Sequence, residues 1–410
     1  MKILLINKFL YPKGGAETYV QDLANGLKEA GHEVQFFGTK DKRNTMTNEY
    51  GIYSRPADFH TKNILEAMSY PFRIIYSVEA RDKLKKLIKL YQPDIIHINN
   101  FNFHLTPSIL DAIPNGIPVV FTAHDAQLIC PNHLMYIPSS ETTCQACFYP
   151  HGTGACIKNR CTHNSLPKSI ISASEGWLYR ASLKYDRFDA ILCPSRFIQD
   201  VYEHDPRFHR RTLLMPNPVS KRETVAKKPD INDKHKDYVF YFGRISPEKG
   251  VKNIVESARQ LPDIPFVIAG GDDVTGLLKN MPKNMEFVGF KTGKDLDTLI
   301  QDAKLVILPS ICYENCPLAV REAQQLGAAV LVPGYGGTAE MTIGPQLRDG
   351  RAETLTNAIR KLCGNEKVLY EMRADSFERT QKYPSLQEHV SEIVSYYERL
   401  RKDYSPWLRI

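Results

Sequence analysis

The sequence predicts an α/β protein made of two doubly wound domains. Three observations support this fold class: two separate series of short apolar runs, helical patterns between those runs, and a highly charged stretch between the two series. Short buried strands alternating with amphipathic helices are typical of parallel α/β folds. The chain has 410 residues, which suits two domains of about 200 residues each.

The first series of apolar runs predicts an N-terminal Rossmann-like domain over residues 1–219. Its runs are 2–7, 33–38, 94–99, 118–123 and 190–195. Between the first two runs lies AETYVQDLANGLKEAGH, in which apolar residues recur at helical spacing. Strands buried on both faces read as continuous apolar runs, so we expect one parallel sheet.

A second series predicts a C-terminal domain of the same kind over residues 238–410. Its runs are 238–243, 265–270, 285–290, 305–310 and 328–333. The stretch SKRETVAKKPDINDKHKD, residues 220–237, is charged and has no apolar period, so we assign it as the linker. We expect the last helix of the chain to pack back on the N-terminal domain.

Composition excludes several classes of protein. The hydrophobic content of 42% is ordinary for a globular protein, and no stretch approaches the length of a membrane span. Because MKILLIN leads into charged and turn residues, we expect a cytoplasmic protein. The net charge of +7 is too small to predict nucleic acid as a partner, but it suits phosphates or an anionic membrane surface on the inner face of the cell.

The turn PKGGAET follows the first strand, where a doubly wound sheet binds its ligands. Gly14 and Gly15 would open a helix whose free N–H groups can hold an anion. An ordinary turn with a helix cap is an equal alternative, and Glu17 also suits a first-turn acid that complements the helix dipole.

The loop GRISPEKGV, residues 243–251, follows the first strand of the second domain. Its Arg244 and Lys249 suit a diphosphate, because arginine can bind it bidentately and lysine adds a point charge. Two solvated surface charges are the alternative, but the position after a strand favours the functional interpretation.

Two acids, Glu314 and Glu322, flank a short apolar run in PSICYENCPLAVREA. The strand KLVILPS leads into this segment, and Pro317 suits the first turn of a helix. We therefore expect Glu314 in a loop above the carboxyl end of a strand and Glu322 inside the following helix.

His124, in FTAHDAQLICP, ends a predicted strand of the first domain. An isolated histidine is commonly a hydrogen-bonded structural residue, but its place after a strand favours contact with a ligand.

These motifs, in this order and over nearly the whole length, resemble glycosyltransferase family 4, whose members have the GT-B fold. The matching features are the early Gly-Gly turn, the mid-chain His, the Arg/Lys loop and the two glutamates. The resemblance implies two Rossmann-like domains that face each other across a cleft. It also implies a retaining glycosyltransferase of surface polysaccharide or glycoconjugate assembly, with neither a protein nucleophile nor a metal or other cofactor in catalysis.

The resemblance also implies roles for individual residues. Arg244 and Lys249 would stabilise the departing diphosphate, and His124 would contact the donor sugar. Glu322 would hold the ribose, while Glu314 would orient the sugar. The backbone amides of Asn315, Cys316 and Leu318 would also bind the donor. The glycine turn, Gly14 and Gly15, would complete the donor site. The donor would be a nucleoside-diphosphate sugar, with UDP the first choice, and the acceptor a glycan or a polyprenyl-linked molecule.

The chain departs from the family pattern after the first glutamate, where Asn315, Cys316 and Pro317 replace a glycine-and-aromatic run, which leaves the donor sugar open. A sugar-nucleotide epimerase and a non-catalytic sugar-binding protein are the alternatives. A nicotinamide enzyme would need G-x-G-x-x-G after the first strand, and PKGGAET lacks it. A GT-A enzyme would need a metal-binding Asp-x-Asp, but Asp295-Leu-Asp297 suits a helix cap.

The stretch RDKLKKLIK places Arg81, Lys85 and Lys89 one helical turn apart. A solvated helix face is the favoured interpretation, and a patch that contacts anionic lipid is the alternative.

Four of the nine cysteines cluster between residues 140 and 165, in an insertion with little apolar periodicity. The spacing Cys144-x2-Cys147-x8-Cys156-x4-Cys161 suits a structural zinc ion, with His151 or His163 as a substitute ligand. Free thiols in an ordinary insertion are the alternative.

Overall fold

Two parallel sheets, one in each of two structural units, organise this protein. The computed structural model describes residues 1–56, 72–219, 227–271 and 273–402. The first unit comprises Met1–Ser139, Gln145–Asn217 and Leu386–Ile410, and the second comprises Ser140–Cys144 and Pro218–Ser385. The predicted fold class, two doubly wound α/β domains, is confirmed.

The strands of the first unit begin and end close to the predicted apolar runs. The five predicted strands are β1 (Lys2–Ile6), β2 (Glu33–Phe37), β3 (Ile95–Ile98), β4 (Val119–Thr122) and β7 (Ala190–Cys193), and the unit also contains the short β5 (Tyr136–Ile137) and β8 (Thr212–Leu214). The short β6 (Thr142–Thr143) lies in the segment Ser140–Cys144 of the second unit. The main sheet has the order β2-β1-β3-β4-β7-β8, and all its pairings are parallel. The core residues of β1 and β4 are fully buried, as continuous apolar runs require.

The edge strand β8 is the one strand of this sheet that the apolar runs do not predict. Its residues are only partly buried, and it pairs with β7 in the register Ile191 to Thr212. A three-residue strand at a sheet edge buries too little surface to produce a readable apolar run.

The second unit contains the strands β9 (Lys236–Phe242), β10 (Phe266–Ala269), β11 (Met285–Phe287), β12 (Ala303–Ile307) and β13 (Val330–Leu331). Their order is β11-β10-β9-β12-β13, again all parallel. Strands β10 and β11 therefore lie on one side of β9, and β12 and β13, which follow them in the chain, lie on its other side. Ligands of doubly wound sheets bind at this reversal of strand order.

The main α-helices lie between these strands. They are α1 (Gly15–Glu29), α2 (Val78–Tyr91), α3 (Gly154–Lys158), α4 (Leu166–Ala181), α5 (Arg196–Glu203), α6 (Val251–Gln260), α7 (Gly293–Asp302), α8 (Leu318–Gln325), α9 (Ala352–Cys363), α10 (Glu366–Thr380) and α11 (Leu386–Lys402). None of the helices in the described ranges is long and apolar enough to cross a membrane.

Helix α11, the last in the sequence, belongs to the first unit and packs against α1. A Cβ atom on Gly26 of α1 would lie 2.6 Å from Val390, so the small residue permits close packing of the two helices. Buried hydrogen bonds add to this contact: His97 of β3 bonds the Tyr397 hydroxyl at 2.5 Å, and the Tyr19 hydroxyl bonds His389 at 3.0 Å.

The predicted linker, residues 220–237, is only partly described. Residues 220–226 lie outside the described residues, and residues 227–235 contain neither helix nor strand. Strand β9 begins at Lys236, two residues before the predicted start of the second domain.

Candidate active site

The loops that follow β9 and β12 lie at the reversal of strand order in the second unit. The β9 loop runs over 243–250 and the β12 loop over 308–317. The Ile311 amide donates to the Glu248 carbonyl at 2.9 Å, which ties the two loops together. The predicted Arg/Lys and Glu motifs therefore share one edge of the sheet.

Gly250 ends the first of these loops at a position that only glycine can occupy. Its φ is +76°, in the left-handed region, and a Cβ atom there would lie 2.2 Å from the Pro309 carbonyl oxygen. The absence of a side chain thus lets the two loops approach each other closely.

Lys249 and Glu314 form an ion pair between the two loops. The Ser310 hydroxyl donates to the same carboxylate oxygen, Glu314 Oε1, at 2.5 Å. Burial would raise the pKa of Glu314, but the Lys249 ammonium, the Ser310 hydroxyl and Arg244 outweigh it, so the pKa is lowered. Glu314 is therefore a carboxylate at neutral pH that holds the Lys249 ammonium in place.

Arg244 is the more exposed of the two predicted cations. Its side chain is 64% exposed and makes a 3.7 Å ion pair with Glu248, whose carboxylate also accepts from the Ser246 hydroxyl at 2.8 Å. The Tyr241 hydroxyl donates to the Arg244 carbonyl at 2.7 Å and orients the backbone. Exposed pairs of this kind are weak, so the guanidinium can exchange Glu248 for another anion.

The glycine segment GYGGTAE packs directly on the Glu314 loop. The Gly337 amide donates to the Glu314 carbonyl at 2.7 Å, and the Tyr335 hydroxyl donates to the Ser310 carbonyl at 2.8 Å. Gly336 has a φ of +67°, and a Cβ atom on it would lie 2.9 Å from the same Glu314 carbonyl. The sequence analysis missed these contacts, and it missed Ser310 and Tyr335 altogether.

Helix α8 begins at Leu318, with Pro317 as its N-cap and no side chain capping its first amides. Asn315 and Cys316 lie in the partly buried turn before it. Glu322 lies in the second turn of α8 and is partly buried. The Val320 amide donates to the Pro317 carbonyl at 3.1 Å, and the amides of Leu318 and Ala319 ahead of it suit an acceptor-bearing ligand.

In the first unit, His124 follows β4 as predicted. Its Nε2 atom lies 2.9 Å from Asn99 Oδ1, and its ring meets the Tyr19 ring edge-on. Burial lowers the pKa of His124 to about 3, so the imidazole is neutral and suited to hydrogen bonding with hydroxyl groups. The adjacent Asp125, which sequence reasoning missed, has its pKa raised to about 6 by burial.

Gly14 is the N-cap of α1, and Gly15 is its first residue. Glu17 in the first turn is buried and accepts a 3.3 Å hydrogen bond from the Asn7 side-chain amide. Burial raises the pKa of Glu17, since it favours the neutral acid. Any anion at this helix terminus would compete with Glu17. The glycine turn therefore suits either of its two interpretations, an anion-binding helix start or an ordinary turn with a helix cap.

Three of the four predicted zinc ligands, Cys147, Cys156 and Cys161, lie in one buried cluster with Ala173. The Cys156 thiol and burial raise the pKa of the Cys161 thiol. Cys144 lies in the segment Ser140–Cys144 of the second unit. Across the described part of the chain, no group of three or more His, Cys, Asp or Glu side chains is arranged to hold a metal ion. The structure thus gives zinc no geometric support, and the zinc site remains a prediction.

Comparison with protein families identifies relatives over almost the whole chain. The family model described as "Glycosyltransferase Family 4" matches residues 13–222, and that described as "Glycosyl transferases group 1" matches residues 221–382.

Curated relatives are distant. An uncharacterized 42.6 kDa protein in the cps region of Klebsiella pneumoniae is 24% identical, over 83% of this chain and 87% of its own length. The alpha-galactosylglucosyldiacylglycerol synthase of Streptococcus pneumoniae is also 24% identical, over 45% of this chain. The chain spans about half (51%) of that synthase.

Solved structures share the fold across their whole length. Sucrose-phosphate synthase from Thermosynechococcus elongatus has a TM-score of 0.68 at 17% identity, covering 97% of this chain and 98% of its own. Anabaena HepE in complex with UDP and glucose has a TM-score of 0.65 at 16% identity, covering 98% and 100%. At such identities the likeness concerns the fold alone.

Proposed function

This chain belongs to glycosyltransferase family 4, and we propose that it transfers a sugar, with retention of configuration, from a nucleoside-diphosphate donor to a hydroxyl group of a glycan or polyprenyl-linked acceptor. The observation that carries the proposal is the Lys249–Glu314 ion pair at the reversal of strand order in the second unit. UDP is the preferred nucleotide, in line with the UDP bound in HepE.

The proposed reaction breaks the bond between the anomeric carbon and the diphosphate oxygen and forms a bond to the acceptor oxygen. The acceptor proton is released together with the nucleoside diphosphate. Negative charge develops on the leaving diphosphate, and cations held in place before the reaction stabilise it without reorganisation. Lys249 is held by Glu314, whereas Arg244 exchanges its weak contact with Glu248 for the diphosphate. These residues provide the positive charge, so the proposal invokes no metal ion in catalysis.

The donor is oriented by the turn that leads into α8. The backbone amides of Asn315, Cys316 and Leu318 are proposed to bind the donor, because the start of a helix presents N–H groups that lack partners within it. Glu322 is proposed to accept hydrogen bonds from the ribose hydroxyls. Glu314, already a carboxylate, would orient the sugar hydroxyls while it holds Lys249.

In the first unit, His124 is proposed to contact the donor sugar as a neutral imidazole. The turn Gly14–Gly15 is proposed to bind the donor as well, through the backbone amides at the start of α1.

Replacing both cations tests the leaving-group assignment. The double variant Arg244→Ala/Lys249→Ala should lose nearly all release of nucleoside diphosphate from UDP-sugars, because each cation contributes several kcal/mol to the transition state, about 2–4 by analogy with single electrostatic donors. The matched control, Lys236→Ala/Arg259→Ala, removes two cations of the same unit outside the candidate site and should retain full turnover.

Full activity in the Arg244/Lys249 double variant, with the control also active, would rule out this assignment. Turnover that proceeds without acceptor and gives an epimerised donor would instead favour an epimerase.

Contact with an anionic membrane is a second part of the proposal, motivated by the net charge and by the lipid named in the streptococcal relative. The predicted patch on α2 is weaker than its spacing implies. Arg81 donates to Asp82 at 2.8 Å and to the Tyr76 hydroxyl at 3.0 Å, whereas Lys85 and Lys89 are exposed.

The structural zinc site stays a separate proposal from the spacing of the four cysteines. Elemental analysis of protein purified without added metal tests it. About one zinc per chain, lost in Cys144→Ser/Cys147→Ser, would support the site, and a metal-free folded protein would exclude it.

A further inference from the structure

Five buried side chains of the first unit form one chain of hydrogen bonds, called the α11 network below. Its members are Tyr397, His97, Thr122, Tyr19 and His389, and each is at most 3% exposed. Both ends of the network lie on helix α11, whereas its centre lies on β3, β4 and α1. Hydroxyl and imidazole groups are costly to bury unless they are hydrogen-bonded, and here they bond one another.

The hydrogen bonds of the α11 network run in a single direction. The Tyr397 hydroxyl lies 2.5 Å from His97 Nδ1, and His97 Nε2 lies 2.6 Å from the Thr122 hydroxyl. The Thr122 hydroxyl bonds the Tyr19 oxygen, and the Tyr19 hydroxyl lies 3.0 Å from His389 Nε2. Burial lowers the pKa of His97 to about 3, so its neutral imidazole has one donor and one acceptor. Each member can therefore donate to the next, from Tyr397 to His389.

The network contacts the two strands that lead to His124 and its partner. His97 lies in β3 two residues before Asn99, and Thr122 ends β4 two residues before His124. Asn99 Oδ1 lies 2.9 Å from His124 Nε2. Because an amide oxygen only accepts, this contact places the imidazole proton on Nε2. The network thus joins β3 and β4 directly before the residues that fix the His124 ring.

Tyr19 is the member of the network that touches His124. The two rings meet edge-on, with centroids 5.1 Å apart and an interplanar angle of 69°. The Tyr19 ring also meets the His389 ring edge-on, with centroids 5.6 Å apart. Tyr19 therefore lies between His124 and α11. Its hydroxyl contacts with Thr122 and His389 hold its ring in the place where it packs on the imidazole.

Apolar packing holds α11 on the first unit without these polar atoms. Val390 and Ile393 are buried in the same apolar core as Leu23 and Ala24 of α1. A buried hydrogen bond adds little net stability to such packing, since it replaces hydrogen bonds to water. A fully bonded buried network instead specifies one arrangement of the groups that it joins. The network is therefore better suited to fixing a geometry than to holding the helix.

We propose that the α11 network positions His124, and that Tyr19 and His389 hold its imidazole in the orientation that contacts the donor sugar. The inference rests on the sugar contact proposed for His124 above. It gives the last helix of the chain a part in the transfer reaction. Thr122, Tyr19 and His389 are positioning residues in this scheme, since they act through His124 and touch no reacting atom.

Donor turnover tests the positioning. Tyr19→Phe keeps the ring and removes the hydroxyl, and His389→Leu removes the partner of that hydroxyl. Each should lower kcat/KM about tenfold for the UDP-sugar that the unmodified chain turns over fastest, because a misplacement of about 1 Å can cost about a hundredfold. His389→Gln, whose side-chain oxygen can accept from Tyr19, should recover most of that loss.

A cycle with His124 separates positioning from stability. In the His124→Ala background, Tyr19→Phe should cause no further loss of kcat/KM, because the network acts through His124. The matched control is Val390→Ala, which changes the residue next to His389 and loosens the apolar packing of α11 on α1. It should lower the melting temperature and leave kcat/KM unchanged.

Nuclear magnetic resonance of protein labelled at the histidine nitrogens reports on the imidazole directly. The ring signals of His124 are assigned by their loss in His124→Ala. They should show the tautomer with the proton on Nε2. In Tyr19→Phe they should shift or broaden, whereas in Val390→Ala they should stay as in the unmodified chain.

Unchanged kcat/KM in Tyr19→Phe and His389→Leu would overturn the inference. Equal losses in Val390→Ala, or losses that add fully to that of His124→Ala, would also overturn it. Full turnover by His124→Ala would instead contradict the proposed sugar contact. In that case, or if no UDP-sugar is turned over, the His124 signals decide the positioning by themselves: a shift in Tyr19→Phe supports it, and unchanged signals exclude it.

Discussion

At the scale of single residues, the ion pair between Lys249 and Glu314 is the most informative feature of the candidate site. Sequence reasoning assigned the two residues separate roles, one to the leaving group and one to the sugar. The structure shows that they are partners and that Ser310 shares the same carboxylate oxygen. A donor diphosphate would therefore meet a lysine whose position is already fixed.

A double-mutant cycle should measure this pairing. Lys249→Met leaves a partly buried carboxylate without its cation and should cost about 1–3 kcal/mol of unfolding free energy. Adding Glu314→Gln should recover part of that loss, with a coupling of about 1–2 kcal/mol. Denaturant unfolding at pH 7 gives these values, and Arg244→Met, in an exposed pair, should change stability by no more than about 0.5 kcal/mol.

The same cycle has a pH dependence of known sign. The folded-state pKa of Glu314 is lowered, so its stabilising contribution is present above the unfolded pKa of about 4.3 and is lost as the pH falls through the folded pKa. Coupling should therefore shrink as the pH falls below about 4.3 and through the lowered folded-state pKa. Coupling that is absent at pH 7 would show that the two side chains do not interact.

Gly250 permits the close approach of the two loops and gives the second prediction at this scale. Gly250→Ala should destabilise the second unit by about 2–3 kcal/mol and lower donor turnover, because a Cβ atom meets the Pro309 carbonyl at 2.2 Å and φ is positive. Gly271→Ala is the control, since no atom lies within 4 Å of its Cβ position. Similar losses in both variants would contradict the steric argument.

At the scale of elements, α4 combines an exposed apolar face with a buried acid. Glu175 lies on its inner face, and burial raises the pKa of this carboxyl group to about 8, with Arg180 acting in the opposite direction. The helix thus carries a neutral acid at pH 7. The first unit accommodates it because a protonated carboxyl needs less solvation than a carboxylate.

Glu175→Gln should flatten the pH dependence of stability. The folded-state pKa is raised, so between the unfolded pKa near 4.3 and about 8 the folded protein binds one more proton than the unfolded chain. Unfolding free energy should fall as pH rises in this window, by up to about 1.4 kcal/mol per pH unit from this group. Denaturant titrations at several pH values measure it, and an unchanged slope in the variant would show that Glu175 is charged.

At the scale of the whole molecule, the two units carry different parts of the proposed function. The second unit holds the paired cation and carboxylate, the glycine segment and α8, which are proposed to bind the nucleotide. The first unit holds His124. We therefore expect the donor to stabilise the protein even where the acceptor and membrane are absent.

A nucleotide should raise the melting temperature of the chain. A ligand present at about 100 times its dissociation constant stabilises the folded state by about 2.7 kcal/mol. UDP should therefore give a larger thermal shift than ADP or GDP at equal concentration, and Glu322→Ala should reduce that shift through loss of the ribose contact. If no nucleoside diphosphate changes the melting temperature, the proposed donor site is wrong.

The sequence alone determined the fold class and the position of most strands. Parallel strands covered on both faces are apolar where they are buried, so the buried centres of β1, β4, β9 and β12 appear in the sequence as short apolar runs. Motif order likewise predicted the family, which the family comparison confirmed. The edge strand β8 was not predicted, because a short, partly buried strand produces no recognisable apolar run.

Only the tertiary structure decided which residues meet. Lys249 and Glu314 are 65 residues apart in sequence, and no local pattern encodes their pairing. The same holds for the hydrogen bond from the Gly337 amide to the Glu314 carbonyl. Likewise, the exposure of Ile170 and Trp177 on α4 is visible only in the structure. Sequence periodicity records which side chains a helix can bury, whereas packing determines which face the rest of the protein leaves in solvent.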